Sequence, residues 1–347
     1  MLKIENLSIQ LGEFSLKNVN LEINDEEYFV ILGPTGAGKT ILLETIAGVY
    51  IQDKGNIYLN GKEITRMQPK DRHIGMVYQD YMLFPHLTVE ENIKFGLKIQ
   101  GYFKDEAQEK ADEFMDLLNI SHLRDRHPNT LSGGEQQKTT LARALVTEPD
   151  ILFLDEPLGS LDPPTREELS DELRSIHEET GIKTLHVTHN YEEAIYLGER
   201  IAILNHGQIV QVGDPIEVFG KPNSEFVAKF VGTRNIFNAE STQKGNIYEV
   251  QLDGNTIQAV HGKEGNVRIC IRPEEIIVSN QPISSSGRNT LKGEIMDIAH
   301  LGALVNLNVD TGLPFIATIT EGSLSDLNLN IGSEVYLTFK ATSIHMI

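Results

Sequence analysis

The sequence is short of several things. Its 347 residues include one cysteine, Cys270, and no tryptophan. A lone thiol closes no internal disulfide, which points to a reducing compartment. Cys270, inside the apolar run Ile269–Ile271, reads as a small buried residue. No stretch approaches the roughly 20 apolar residues of a membrane-spanning helix. The start, Met1–Asn6, lacks the apolar core and cleavage site of a signal peptide. Basic residues are outnumbered, with 30 Lys and Arg against 50 Asp and Glu and a formal net charge of −20. Such a surface repels nucleic acid and anionic lipid, so any bound anion must be gripped by local groups. These features predict a soluble, cytoplasmic chain that serves a membrane only through a partner. The 40% of hydrophobic residues suffices for packed cores, and the length suits about two domains.

Two textures divide the chain. Up to about residue 231, short apolar runs (Tyr28–Leu32, Ile151–Leu154, Thr184–Thr188) alternate with helical patterns (39–48, 104–118, 136–145, 165–179). Buried parallel strands read this way, and the alternation predicts an α/β layer fold. After about Asn235, alternating stretches such as Val305–Asp310 and Val335–Lys340 take over, separated by Gly, Asn and Ser turns. They predict a C-terminal all-β domain, an OB-like barrel or a pair of small barrels, with a polar loop over Ser279–Thr290.

Gly33-Pro34-Thr35-Gly36-Ala37-Gly38-Lys39-Thr40 matches G-x-x-x-x-G-K-[ST], between a strand and a helix as the motif requires. Glycines let the backbone wrap phosphate oxygens with N–H donors, and the helix N-terminus adds partial positive charge. Lys39 is expected on the β- and γ-phosphates of ATP and the Thr40 hydroxyl on Mg²⁺. Downstream, the apolar strand from Ile151 ends in Asp155-Glu156. Acids there cost desolvation unless a cation compensates, so Asp155 suits Mg²⁺ and Glu156 suits polarising the attacking water. Taken alone, the pair would read as solvated acids at a strand end.

Leu131-Ser132-Gly133-Gly134-Glu135-Gln136-Gln137 opens another helix, with Ser132 and Glu135 spaced as a capping box. A Gly-Gly helix start also presents bare N–H groups to an anion. With these residues the first 231 or so positions resemble the ATP-binding-cassette ATPases. Leu131–Gln137 resembles their signature motif, Gln79 falls at the Q-loop, Leu161-Asp162 at the D-loop and His189 at the switch histidine. The resemblance implies a P-loop domain over 1–231, with a helical subdomain at about 84–148. It also implies a head-to-tail homodimer that sandwiches ATP between Gly33–Thr40 of one copy and Ser132, Gly133 and Gly134 of the other. Asp162 would lie at that seam, His189 at the γ-phosphate, and Gln79 at Mg²⁺ and the attacking water. Several positions depart from the family pattern. Leu11 stands where an aromatic residue usually stacks on adenine, with Phe14 nearby and expected to face the core. Gly159 and Asn190 replace a common serine and aspartate, and Lys138-Thr139-Thr140 follows the signature motif.

Phe84–Val89 resembles the segment of import-type cassettes that receives a membrane subunit, with Phe84 and Leu87 as apolar anchors or, equally, as core residues. In 284–347, Ser286-Gly287-Arg288-Asn289 and Lys340-Ala341-Thr342-Ser343 resemble molybdate-binding barrel domains. That implies an oxyanion held by Ser286, Arg288, Asn289, Lys340, Thr342 and Ser343 through charge-assisted donors and hydroxyls. The expectation is the ATPase subunit of a molybdate or tungstate importer, peripheral on the cytoplasmic membrane face. It would be bound to permease subunits, fed indirectly by an external solute-binding protein, and inhibited by oxyanion in the C-terminal domain (232–347). Import of sulfate, sugar or polyamine with a structural barrel is the alternative. A non-transport cassette in DNA repair or translation fits the −20 charge poorly.

Overall fold

In the computed structural model, which describes residues 1–283 and 286–347, the chain divides into two units, Met1–Val218 and Phe219–Ile347. The division falls ahead of the 231/232 boundary expected from sequence. The intervening segment bonds to the β-rich region: Arg272 donates to the Phe219 carbonyl, Arg268 pairs with Glu225, and His345 Nε2 lies 2.8 Å from the Pro222 carbonyl oxygen.

Two sheets build the first unit. One is antiparallel: β1 (Leu2–Leu11), β2 (Phe14–Ile23), β4 (Lys54–Leu59) and β5 (Lys62–Glu63), in the order β2-β1-β4-β5. The other has six strands: β3 (Tyr28–Leu32), β6 (Ile74–Val77), β7 (Ile151–Asp155), β8 (Thr184–Thr188), β9 (Arg200–Asn205) and β10 (Gln208–Gly213), in the order β10-β9-β3-β8-β7-β6. Every residue of β3, β7 and β8 is buried, and the three pair in parallel. Coverage on both faces is why they read as unbroken apolar runs.

The helices are α1 (Lys39–Ala47), α2 (Val89–Gln100), α3 (Lys104–Leu117), α4 (Gly133–Leu145), α5 (Pro163–Thr180) and α6 (Tyr191–Leu197). Helices α2, α3 and α4 touch one another within the interval expected for a helical subdomain. The Phe84–Thr88 turn is pinned to α2 by buried Asn92, whose amide bonds the backbone of Phe84, Leu87 and Thr88. Arg72, 2% exposed, donates to the carbonyls of Thr45 and Ile46 at the end of α1 and to those of Thr65 and Met67. A guanidinium there satisfies the Ile46 carbonyl, which the helix end leaves open, and favours the dipole.

The short helices α7 (Pro215–Gly220) and α8 (Glu225–Phe230) lead into β structure. The strands β11 (Asn235–Lys244), β12 (Ile247–Leu252), β13 (Asn255–Ala259) and β14 (Gly265–Ile271) join β20 (His345–Met346) in one antiparallel sheet. The strands β15 (Ile277–Ser279), β16 (Asn289–Leu301), β17 (Leu304–Asp310), β18 (Pro314–Thr320) and β19 (Glu334–Phe339) form the other. One hydrophobic cluster, from Val250 to Ile344, draws on both five-stranded sheets. Cys270 is buried as expected, and burial pushes its thiol up to about 12. Ser284 and Ser285, in the expected loop and at the start of the expected oxyanion region, lie outside the described residues.

Candidate nucleotide-hydrolysis site

The loop Gly33–Thr40 leaves β3 at its C-terminal end and enters α1. Gly38 has φ 102°, a conformation L-residues rarely adopt. A Cβ at Gly33 would run into the Leu204 carbonyl, and one at Gly38 into the Phe14 ring. Phe14 is half-buried and packs on the main cluster beside Leu11, its cross-strand neighbour. Its ring thus also touches the phosphate loop, a placement the sequence did not anticipate.

Lys39 is 5% exposed; its ammonium donates to the Gly33 carbonyl at 2.9 Å and lies 3.2 Å from Glu156 Oε1. The Thr40 hydroxyl donates to Asp155 Oδ1 at 3.0 Å. Asp155 is buried at the end of β7, and burial raises its carboxyl to about 6, against the opposing Thr40 hydrogen bond. A buried acid and a hydroxyl in contact are hard oxygen donors of the kind Mg²⁺ takes, and a cation would relieve the desolvation. The site therefore fits the ion. Glu156 has φ 45°, left-handed for a non-glycine residue, and its amide donates to the Val187 carbonyl. Its Oε2 lies 3.0 Å from His189 Nδ1, just beyond β8. The parallel register of β3, β8 and β7 thus gathers Lys39, Thr40, Asp155, Glu156 and His189 at one sheet edge.

Gln79 is exposed, two residues past β6. Ser132 caps α4 through the expected reciprocal bonds with Glu135. The α4 start lies beside Tyr81 and Leu161 of the same chain, not against the phosphate loop. Asp162 stands exposed ahead of α5, its carboxyl held below the usual range by the Thr165 hydroxyl. Sequence reasoning missed the bonds around Tyr81. Its hydroxyl meets Ser160 Oγ at 2.8 Å, and its carbonyl accepts from Arg143 and Thr140. Isolated polar residues on a helix carry no signal for such long-range partners.

In the second unit, β16 pairs with β19 so that Asn289 faces Phe339. The next residues outward, Arg288 and Lys340, are both exposed at that end of the sheet. Thr342 and Ser343 follow Lys340 in a short turn, and Ser286 is exposed two residues before Arg288. Asn289 is 3% exposed, and its amide is committed to the Gln258 backbone, accepting at 2.7 Å and donating at 2.9 Å.

A phosphate loop on β3, an acidic strand end on β7 and a histidine after β8 define a P-loop nucleotide hydrolase. The ABC transporter family model matches residues 16–159 and the TOBE domain model residues 285–346. The molybdate/tungstate import ATP-binding protein WtpC of Pyrococcus abyssi is 45% identical, covering 99% of both chains. The Fe(3+) ions import ATP-binding protein FbpC of Fusobacterium nucleatum is 39% identical over 99% of this chain and 92% of that one. The dimeric post-hydrolysis structure of the ATP-binding cassette MJ0796, bound to ADP and Pi, matches with TM-score 0.56 and 31% identity, covering 62% of this chain and 99% of that one. The chain belongs to the ABC transporter family, as an ATP-binding subunit with ATPase activity. No helix among the described residues is long and apolar enough to cross a membrane.

Proposed function

We propose that this chain is the ATP-hydrolysing subunit of a molybdate or tungstate importer. The observation that carries the reading is the 45% identity to a protein of that name, which runs through both units rather than the cassette alone. Two copies pair head to tail, and each ATP lies between Gly33–Thr40 of one and Ser132–Gly134 of the other, with Asp162 at the seam. Gly133 and Gly134 have Tyr81, Leu161, Thr165 and Leu169 of their own chain as neighbours and no phosphate-loop atom among them, which supports a site completed by a second copy. Permease subunits dock at Phe84–Val89 on the cytoplasmic face, and a solute-binding protein acts from outside.

The ion pair between Lys39 and Glu156 suggests how the site responds to nucleotide. The γ-phosphate replaces the Glu156 carboxylate as counter-ion to Lys39. Glu156, still oriented by His189, then turns to the attacking water as base. Thr40, Asp155 and Gln79 would hold Mg²⁺, which would supply charge neutralisation at the phosphates. Glu156→Gln should bind ATP and pair normally while turnover falls at least about 100-fold, within the usual span for a general base. Unchanged turnover would reject Glu156 in that role.

In the second unit, Arg288 and Lys340 supply charge, Ser286, Thr342 and Ser343 supply hydroxyls, and Asn289 ties the strand end to β13. A tetrahedral oxyanion suits that donor set. Its binding in the open state lowers ATPase activity by differential affinity. ATPase of the assembled transporter, titrated with molybdate and sulfate, tests this. Activity flat in molybdate to millimolar levels would remove the regulatory reading, and an equal response to sulfate would remove the selectivity.

A further inference from the structure

A second set of polar groups lies behind the hydrolysis site, and the steps above do not use it. Its centre is Glu193 in the first turn of α6, 4% exposed. Its Oε2 accepts a hydrogen bond from the Thr188 hydroxyl at 2.7 Å. The Nε2 of His186 lies 3.6 Å from the same oxygen, with no closer partner. His186 is fully buried, and its Nδ1 is 3.0 Å from the Tyr28 hydroxyl. The other carboxyl oxygen of Glu193 lies 3.9 Å from Arg166 Nε. Arg166 in turn donates to the carbonyls of Leu161 at 2.8 Å and Leu158 at 3.4 Å. These carbonyls belong to the loop that runs from Glu156 to Asp162.

The arrangement brackets His189. On one side Thr188, fixed by Glu193, accepts the Asn190 amide at 3.0 Å. On the other, Asn190 Oδ1 caps α6 by accepting the amides of Glu192 and Glu193. The backbone carrying His189 is therefore clamped at both neighbours, and the clamp closes on Glu193. Through Arg166 the same carboxylate also holds the loop ahead of Asp162. A buried acid costs desolvation, so its presence asks for a reason beyond packing. The hydrogen-bonded part of this set, Glu193 with Thr188 and Thr188 with the Asn190 amide, favours one geometry of the backbone between them.

We infer that Glu193 and Arg166 form a positioning pair that sets the His189 backbone and the 158–162 loop as one unit. His189 and Asp162 reach the nucleotide in the proposed site, so their relative placement bears on turnover. Neither Glu193 nor Arg166 touches the reacting groups. This inference rests on the assignment of His189 to the hydrolysis site but not on the transported solute.

The test uses the full-length chain. Glu193→Gln keeps the shape and a partner for Thr188 but removes the charge facing Arg166; Arg166→Met removes the other side. Each variant should lose turnover by about five- to tenfold with the KM for ATP within about twofold, since only interactions specific to the transition state are weakened. The double variant should be no slower than the worse single one, because the pair acts together. Independently of activity, the His189 ring resonance in nucleotide-free protein, assigned with His189→Asn, should shift in both variants. Turnover within twofold of the parent, multiplicative losses in the double variant, or an unmoved His189 resonance would each overturn the inference. Loss of turnover on Glu156→Gln alone, with His189→Asn unaffected, would instead remove the assignment of His189 on which it rests.

Discussion

Thr40→Val is the most informative single change, because it removes one hydroxyl and almost no volume. In the structure that hydroxyl bonds Asp155 Oδ1 at 3.0 Å, and burial already raises the Asp155 carboxyl to about 6. With valine the carboxyl loses this partner, and Mg²⁺ loses one of its proposed oxygen donors. A hydrogen bond or ligand contact to a charged group contributes about 1.5–3 kcal/mol. At about 1.4 kcal/mol per tenfold, that is roughly a 10- to 150-fold loss. The loss should appear in Mg²⁺-dependent ATP hydrolysis and in ATP affinity measured with Mg²⁺. Affinity in EDTA should stay within about twofold, since Lys39 and the loop amides that grip phosphate are untouched. Calorimetric titration of ATP, with and without Mg²⁺, separates the two effects. Equal weakening in both conditions would mean that Thr40 shapes the loop rather than serving the ion, and the argument from hard oxygen donors would be refuted.

Three further outcomes follow from the folded chain. Arg72→Met removes the donor to the carbonyls of Ile46, Thr65 and Met67, so the first unit should lose about 3–5 kcal/mol in urea titration; a loss under about 1 kcal/mol would contradict the bonding described. His186 is held neutral by burial down to about pH 3, whereas unfolded histidine takes a proton near 6.5. The unfolded state thus binds more protons between those values, and the contribution to stability is complete above 6.5 and lost as pH falls towards 3. Replacing His186 by Gln should flatten the acid limb of a pH–stability curve by up to about 1.4 kcal/mol per unit, and an unchanged slope would reject a neutral buried imidazole. Cys270, buried and pushed up to about 12, should resist iodoacetamide at neutral pH until the protein is denatured; rapid native labelling would show an exposed thiolate.

The sequence alone determined the hydrolysis chemistry, because the phosphate loop, the capped Gly-Gly helix and the strand-end acids are local signals. Backbone turns, caps and strand burial depend on residues a few positions apart, so the phosphate loop Gly33–Thr40 announces itself, while Ser132–Glu135 and Asp155–Glu156 take their meaning from standing in motif order with it. It also divided the chain into an α/β part and an all-β part through the change from buried runs to alternation. Folding decided what joins distant segments. Residues 219–230 group with the β-rich unit, Phe14 lies on Gly38, and Asn289 spends its amide on Gln258. The Thr188–Glu193 and Arg166–Leu161 bonds are short in sequence, yet the approach of Arg166 to Glu193 exists only because α5 and α6 pack together. A hydrogen bond needs two groups within about 3 Å. Which groups meet at that distance is set by strand order and helix packing, not by any stretch of residues read on its own.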